Sequence, residues 1–240
     1  MRVLQMNLCN SGRAGCYSGG RAISVAAAVI GRHQPDMVSL NEVCREDVHV
    51  LKLAMSATFH GRAVASAFKP AEDRSTKAPV RCQDGQEFGH GVLAVAPSAA
   101  ARPRIYSGIY PVQDPNDVEE RVWVCVDLAP QFFACTAHTA STNTTIALAQ
   151  CRYLLGSVVQ RVRHHNSGDR VIVAGDFNVA AGGAPNPQAC LPRGYERADD
   201  GALQDVVASP SIAVRSRSVI DMLGTTDHPG LLVELVLSRH

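Results

Sequence analysis

The chain has 240 residues with 46% hydrophobic content, and its 23 Lys and Arg residues nearly balance 22 Asp and Glu residues. This composition is typical of a globular protein with ample core material. The net charge of +1 gives no basic excess of the kind that a surface for gripping nucleic acid usually shows. No linker-like stretch divides the sequence, and no apolar run reaches the roughly 20 residues that span a bilayer. We therefore expect a single domain over residues 1–240 without a transmembrane helix.

The eight cysteines are numerous for a cytosolic chain, and their number is even. No two form a Cys-x-x-Cys pair, which argues against a zinc site or a thioredoxin-like motif. We expect a disulfide framework in a secreted, extracellular protein whose signal peptide is absent from this sequence; the alternative is eight small buried hydrophobic residues in a reducing compartment. The flanking motifs suggest pairing Cys9 with Cys16 and Cys44 with Cys82, and the other candidates are Cys125, Cys135, Cys151 and Cys190.

The N-terminal part of the chain alternates between strand-like and helix-like segments. Apolar and polar residues alternate over residues 2–8, apolar residues recur at helical spacing from Ile23 until Pro35, and a second strand-like run ends at Glu42. A helix with an apolar stripe over residues 48–55 follows. This order predicts a βαβ-like unit whose two strands both end in oxygen-bearing side chains.

The rest of the chain is richer in predicted strands. Residues 69–90 are polar and without a period, which predicts a long surface loop. A helix should follow Asn143 or Thr144, either of which can cap it, and the apolar run over residues 170–175 predicts a core strand. The other predicted elements are strands over residues 92–96, 104–110, 121–128, 132–137, 212–215, 219–222 and 231–237, and a short helix over residues 203–207.

Polar side chains stand at the ends of predicted strands that are far apart in sequence. Because sheet proteins gather ligand groups at one rim of their strands, we expect these side chains to converge on one cleft. Acids and an amide suit a hard divalent cation, and two histidines can supply proton transfer and charge stabilisation. The residues are Asn7, Glu42, His138, Asp176 with Asn178, and Asp227 with His228.

Five motifs follow the order and rough spacing of the endonuclease/exonuclease/phosphatase superfamily, which includes deoxyribonuclease I. They are Asn7, Leu40-Asn41-Glu42, Thr136-Ala137-His138, Gly175-Asp176-Phe177-Asn178 and Thr226-Asp227-His228. The chain resembles this superfamily over nearly its whole length. The resemblance implies an α/β (α+β) fold, a four-layer sandwich of two packed, mostly antiparallel β-sheets flanked by helices.

The resemblance also implies roles for these residues. Glu42 and Asp227 would hold a metal ion with Asn7 beside them, and the expected ion is Mg²⁺, with Mn²⁺ or Ca²⁺ as alternatives. Asp176 would activate the attacking water, and Asn178 would hold the water or the phosphate. His138 and His228 would neutralise charge on the phosphoryl oxygens.

Four further residues have weaker assignments. Asp221 matches the acid that orients the terminal histidine in the family, although only five residues separate it from Asp227, and Glu87 is a positional candidate for the acid that supports His138. His90 could contact substrate or could be a solvated loop histidine. Arg121 could grip a phosphate or could form a surface ion pair.

These features predict a metal-dependent phosphoric ester hydrolase, in the first place a nuclease-like phosphodiesterase that uses in-line attack of water. The alternatives are a small-molecule or lipid phosphatase of the sphingomyelinase type and, from another class, a non-catalytic binding module on the same fold. The expected partner is a phosphate-ester substrate, with nucleic acid as one candidate, and the expected state is a monomer.

Overall fold

A computed structural model describes residues 1–98, 103–128, 131–165 and 170–237. The helices are α1 (Arg21–His33), α2 (Arg45–Thr58), α3 (Thr144–Tyr153) and α4 (Val159–His165), with a π-helical turn over Leu154–Val158 between the last two and a short 3-10 helix over Pro187–Cys190. The strands are β1 (Arg2–Asn7), β2 (Met37–Cys44), β3 (Val64–Pro70), β4 (Glu72–Asp73), β5 (Phe88–Val95), β6 (Arg104–Ile109), β7 (Glu119–Glu120), β8 (Val122–Asp127), β9 (Phe133–His138), β10 (Val171–Asp176), β11 (Glu196–Asp199), β12 (Gln204–Ala208), β13 (Ile212–Ile220) and β14 (Gly230–Leu237).

The described strands form two large sheets and one small one. The first large sheet has the order β13-β14-β1-β2-β5-β3, and the second has the order β11-β12-β10-β9-β8-β6. Strand β4 pairs with β7. The neighbours β1 and β2 are parallel, as are β9 and β10, and the other pairs are antiparallel. The prediction of mostly antiparallel sheets is confirmed.

Three apolar clusters fill the spaces between the layers. One lies between the two large sheets and contains Val3, Met37 and Ile172. A second packs α1 and α2 onto the outer face of the first sheet, and a third packs α3 and α4 onto the outer face of the second. Each of these sheets is thus covered on one face by the other sheet and on the other face by helices, which is the predicted four-layer sandwich.

Two predictions for the C-terminal part are wrong. The sequence predicts a short helix over residues 203–207, but Gln204–Ala208 is a strand paired with β10. The strands expected over residues 212–215 and 219–222 are one strand, β13, whose middle is exposed. Because β13 is an edge strand, its middle residues are exposed and can be polar. These polar residues interrupt the apolar pattern, so one strand was predicted as two.

The predicted loop over residues 69–90 is shorter in the structure, because β3 extends to Pro70 and β5 begins at Phe88. Asn143 caps α3, with its side chain accepting a hydrogen bond from the backbone N–H of Ile146 at 3.2 Å. None of the described helices is long and apolar enough to cross a membrane.

All eight cysteines form disulfides, and both suggested pairs are among them. The bonds join Cys9 with Cys16, Cys44 with Cys82, Cys125 with Cys135 and Cys151 with Cys190. The first two bonds tie loops to β1 and β2 just after Asn7 and Glu42, and the fourth ties α3 to the 3-10 helix.

Candidate active site

The inward-facing positions of the central strands become more polar towards one end of the sandwich. In β1 the residues facing the other sheet are Val3, Gln5 and Asn7, and in β10 they are Ile172, Ala174 and Asp176, because side chains alternate along a strand. Strands β2 and β9 repeat the pattern, with Asn41 at the corresponding position of β2 and His138 at the end of β9. Both parallel pairs therefore deliver polar side chains to the same edge, as the sequence predicts.

A buried network of amides supports this edge from below. The side-chain amide of Gln5 donates to Asn41 Oδ1 at 2.7 Å and to Gln204 Oε1 at 2.8 Å. Asn41 Oδ1 also accepts from the backbone N–H of Asp176 at 2.9 Å, and Gln204 Nε2 donates to Asp176 Oδ2 at 3.2 Å. The network fixes the position of the Asp176 carboxylate from both sheets.

Gly175 explains why the motif begins with glycine. A Cβ atom at this position would collide with the backbone carbonyl of Ala137 on the neighbouring strand. Only glycine permits this close approach of β9 and β10. The approach places Asp176 directly opposite His138 in the strand register.

Two of the motif residues adopt left-handed backbone conformations. Glu42 has φ 55° at a bulge in the pairing of β2 with β5, and Asn178 has φ 49°. Such conformations are costly for residues other than glycine and occur often at functional sites. At Asn178 the backbone N–H donates to Asp176 Oδ1 at 3.0 Å, while the side-chain amide donates to the carbonyl of Thr139 at 2.9 Å.

Asn7 lies between two of the carboxylates. Its side-chain amide donates to Glu42 Oε1 at 2.8 Å and to Asp176 Oδ2 at 3.2 Å. Burial raises the pKa of Glu42, and the nearby charges of Asp176 and Asp227 raise it further. Burial also raises the pKa of Asp176. These shifts mark a site where anionic groups are concentrated.

The last motif reaches the site through the loop before β14. The hydroxyl of Thr226 donates to the backbone carbonyl of Asn7 at 2.9 Å. This anchors the following residues, so that His228 Nε2 lies 3.6 Å from Asp176 Oδ2 and 3.8 Å from Asp227 Oδ1. The side chain of Asp227 is 56% exposed.

His138 has a different environment from His228. Its Nε2 lies 3.9 Å from Glu42 Oε1, and one guanidinium nitrogen of Arg121 lies 3.2 Å from its Nδ1. The ring of His90 packs edge-on against it with centroids 5.0 Å apart. Burial and the charge of Arg121 hold the pKa of His138 well below its usual range, so its ring is neutral at pH 7.

His90 and Arg121 are both more enclosed than the sequence suggests. His90 is fully buried in β5, so the prediction of a solvated loop histidine is wrong. Arg121 is also buried, so its alternative as a surface ion pair is wrong, and it pairs with Asp117 at 2.7 Å and with Glu119 at 3.3 Å. It also donates to Ser141 Oγ at 3.1 Å.

One group of possible metal ligands is a poor candidate for a cation site because a positively charged side chain already lies beside it. Ring nitrogens of His90 and His138 and a carboxylate oxygen of Glu119 lie within 4.8 Å of one another. The Arg121 guanidinium already lies beside His138 and Glu119 and supplies the positive charge there. The carboxylates of Glu42, Asp176 and Asp227 with the amide of Asn7 are the better donor set for a divalent cation.

The structure does not bring Asp221 or Glu87 to the histidines. Asp221 is exposed and accepts from the backbone N–H of Leu223 at 2.7 Å, and no ion pair within 4 Å joins it to His228 in the described chain. Glu87 pairs with Arg45 on the surface. Among the described residues, the acids nearest the two histidines are Glu42, Asp176 and Asp227.

Sequence reasoning missed several supporting residues. Gln5 and Gln204 contact motif residues that are distant in sequence, whereas Asp117 and Glu119 pair with Arg121, which follows them closely in the chain. Gln5 carried a signal, since a polar residue stood at an inward-facing position of a core strand. The two acids before Arg121 were visible too, but nothing local showed that they would be enclosed with it.

Comparisons with known proteins agree with this geometry. Residues 16–228 match the family model described as the Endonuclease/Exonuclease/phosphatase family. No curated protein matches the chain in sequence. Among solved structures, an endonuclease/exonuclease/phosphatase family protein from Bacteroides thetaiotaomicron aligns with a TM-score of 0.70 and 15% identity over 99% of this chain and 95% of its own.

Two further structures share the fold at similar distance. A mannosyl-6-phosphatase from Bacteroides thetaiotaomicron has a TM-score of 0.67 and 15% identity over 99% of this chain and all of its own. A truncated TDP2 from Caenorhabditis elegans has a TM-score of 0.66 and 13% identity over 99% of this chain and 97% of its own. With the family match over most of its length, the chain belongs to the endonuclease/exonuclease/phosphatase family.

Proposed function

We propose that this protein is a divalent-metal-dependent phosphoric ester hydrolase that cleaves its substrate by in-line attack of water. The observation that carries the proposal is the convergence of Glu42, Asp176 and Asp227 with two histidines at one edge of the sandwich. Three carboxylates this close together are stable with a cation, and imidazoles beside them can contact phosphoryl oxygens.

Glu42 and Asp227 would hold the cation, with Asn7 beside them linking Glu42 to Asp176 through its two hydrogen bonds. Magnesium fits these oxygen donors, and when bound it would neutralise phosphate charge and favour departure of the alcohol. Enzymes of the family are typically dependent on a divalent metal, which supports this part of the proposal.

Asp176 would orient and deprotonate the attacking water. Its raised pKa, caused by burial, makes the carboxylate a stronger proton acceptor than an exposed one. Asn178, whose backbone N–H holds Asp176 Oδ1, would keep the water or the phosphate in line. His228, on the loop before β14, and the neutral His138, at the end of β9, would donate hydrogen bonds to the phosphoryl oxygens.

The proposed substrate is a phosphodiester, as in a nuclease-like enzyme. A phosphate monoester is the second candidate, because one of the solved structures with this fold is a mannosyl-6-phosphatase. The net charge of +1 gives no separate support for a long polyanion. Both candidates use the same attacking water and the same carboxylates.

The test is a panel of bis-p-nitrophenyl phosphate, p-nitrophenyl phosphate and plasmid DNA, each with magnesium, manganese, calcium or chelator. We expect diester cleavage that requires metal and falls at least about a hundredfold in His228→Ala. Activity that persists in chelator would exclude the metal mechanism. An unchanged rate in the variant would exclude the assigned site, and cleavage of the monoester alone would replace the diester with the second candidate.

We also propose that the protein works outside the cell. Four disulfides suit an oxidising compartment and are compatible with an extracellular protein. Alkylation of the native, unreduced protein should label no thiol. A mass shift corresponding to several alkylated cysteines would contradict the proposal.

A further inference from the structure

Gln204 donates to the Asp176 carboxylate from outside the sequence motifs. Among the described residues, three groups donate to this carboxylate: Gln204 Nε2 and Asn7 Nδ2 to Oδ2, each at 3.2 Å, and the backbone N–H of Asn178 to Oδ1 at 3.0 Å. Asn7 also contacts Glu42, and no side-chain substitution at Asn178 removes a backbone N–H. Gln204 is therefore the donor that can be removed without changing a motif residue.

Strand pairing places the Gln204 amide at this carboxylate. Gln204 on β12 lies directly opposite Asp176 on β10 in the antiparallel register, so their side chains share one face of the sheet. Both side chains are buried. Because water is excluded from this position, a hydrogen bond lost here is not replaced by one to solvent. The carboxylate thus depends on protein donors to hold it.

Groups of fixed polarity determine the orientation of the Gln204 amide. Asn41 Nδ2 donates to the carbonyl of Ala137 at 3.0 Å, and Asn41 Oδ1 accepts from the backbone N–H of Asp176 at 2.9 Å. A backbone carbonyl only accepts and a backbone N–H only donates, so the Asn41 amide has one orientation. Gln5 Nε2 then donates one hydrogen to Asn41 Oδ1 and the other to Gln204 Oε1. This leaves Gln204 Nε2 to donate to Asp176 Oδ2.

Stability alone does not explain why Gln5 and Gln204 are polar. Both are fully buried, and Gln5 Oε1 is enclosed without a hydrogen-bond partner among the described residues. A buried acceptor without a partner is destabilising, whereas apolar side chains of the same shape can replace a buried polar pair at little cost. The contact of this amide pair with Asp176 supplies a functional reason for the amides.

We propose that Gln204 is a positioning residue for hydrolysis, which fixes the rotation of the Asp176 carboxylate for attack by water, and that Gln5 acts through it. This inference rests on the proposed role of Asp176 in the reaction. With donors on both oxygens, the carboxylate cannot rotate about its Cβ–Cγ bond without breaking hydrogen bonds. Without Gln204, Oδ2 keeps Asn7 as its one described donor. A misplaced reacting group lowers the rate of the chemical step, so the effect should be in kcat.

The first test measures kcat and KM of Gln204→Met for bis-p-nitrophenyl phosphate with magnesium, or for p-nitrophenyl phosphate if that alone is cleaved. We expect kcat to fall about 10–100-fold with KM unchanged. Gln150→Met is the matched control. Gln150 is also buried, accepts from the backbone N–H of Ala140 at 2.8 Å and donates to the carbonyl of Val112 at 2.9 Å, so this variant also loses two hydrogen bonds. It should lower the melting temperature to a similar extent and keep the wild-type kcat.

The second test uses Gln5→Met, which removes the donor to Gln204 Oε1 and leaves Gln204 itself in place. Its kcat should fall by less than that of Gln204→Met. In the double variant the loss of kcat should be smaller than the product of the two single losses, because the two residues act along one path. Should Gln204→Met not fold, Gln5→Met against Gln150→Met decides: a lower kcat in Gln5→Met supports the inference, and equal kcat values overturn it.

Two outcomes separate this inference from the proposed function. If the wild type hydrolyses the ester and Gln204→Met has the same kcat as Gln150→Met, or loses activity through KM alone, the inference is overturned and the proposed function stands. A wild type that cleaves no phosphate ester overturns both.

Discussion

The two histidines of the candidate site have opposite surroundings. His138 is 4% exposed and lies against Arg121 and the ring of His90. His228, with a side chain 18% exposed, lies against the carboxylates of Asp176 and Asp227. His138 is thus enclosed beside the Arg121 guanidinium, whereas His228 is partly exposed beside two carboxylates.

This difference shows that a histidine in a motif does not by itself define a charge. The resemblance assigned both residues to neutralising phosphoryl oxygens, yet the pKa of His138 lies far below its usual range because of burial and Arg121. A neutral ring can donate a hydrogen bond but carries no positive charge. We call the part of the site around His138 and Arg121 the closed side and the part around His228 and Asp176 the open side. Changes on the two sides should have different effects.

The largest expected effect is on the open side. Asp176→Asn should lower the rate of phosphodiester hydrolysis by about 10³–10⁴, because it removes both the proposed proton acceptor and the carboxylate facing His228. Steady-state kinetics with bis-p-nitrophenyl phosphate measure this, and circular dichroism verifies the fold. A rate within tenfold of the wild type would mean that another group accepts the proton.

On the closed side we expect a loss of stability. Arg121→Met should lower the free energy of unfolding by about 3–5 kcal/mol, because it strips Asp117 and Glu119 of their buried partner. Arg45→Met is the matched control, since Arg45 pairs with Glu87 at the surface, and it should cost less than about 1 kcal/mol. Urea denaturation compares them, and equal losses would show that the enclosed charges do not hold this side together.

Glu119 links the closed side to pH. Burial raises its pKa from 4.5 to about 7, despite the opposing charge of Arg121. The folded state therefore keeps a proton that the unfolded state loses, so the contribution of Glu119 to stability falls as the pH rises from about 4.5 to about 7 and is constant above that.

The difference in unfolding free energy between wild type and Glu119→Gln should change by roughly 1–3 kcal/mol across this pH window. Urea denaturation at several pH values measures the difference. A flat difference for Glu119→Gln would mean that Glu119 is ionised alongside Arg121 over the whole range.

The smallest effect is expected at Asp221. Asp221→Asn should leave the hydrolysis rate within about twofold, because the carboxylate is exposed and its described hydrogen bond is to the backbone of Leu223. Measuring the hydrolysis rates of Asp221→Asn and His228→Ala in the same assay compares the two residues directly. A tenfold loss or more would restore Asp221 as the residue that orients His228.

Local patterns in the sequence were enough for many of the strands and for the edge where the site lies, whereas the four-layer sandwich was implied by the family resemblance. The alternation in β1 and the apolar run of β10 gave the strands, and the polar residues at their ends gave the convergence. The helix expected over residues 203–207 failed because pairing with β10 determines the conformation of β12, and spacing within five residues cannot show such pairing.

Local sequence patterns could not predict which side chains contact the two histidines. Glu87 was chosen by position, but it faces Arg45, while Glu119 and Arg121 enclose His138 from a loop and strand that precede it. Whether a charged residue is enclosed depends on the packing of several elements. His90 was misjudged because it stood at the end of the loop predicted over residues 69–90, whereas in the structure it lies within the buried strand β5.

The pairing of β1 with β14 has a consequence for biosynthesis. The first strand of the chain lies between its last strand and β2, and Asp227 and His228 arrive on the loop that leads into that last strand. While the ribosome is still making the C-terminal part, the emerging chain holds Glu42, His138 and Asp176 but lacks the other side of the cleft. The candidate site can therefore be completed only after β14 has been synthesised, and a chain that stops before residue 230 lacks the strand that pairs with β1 on this side.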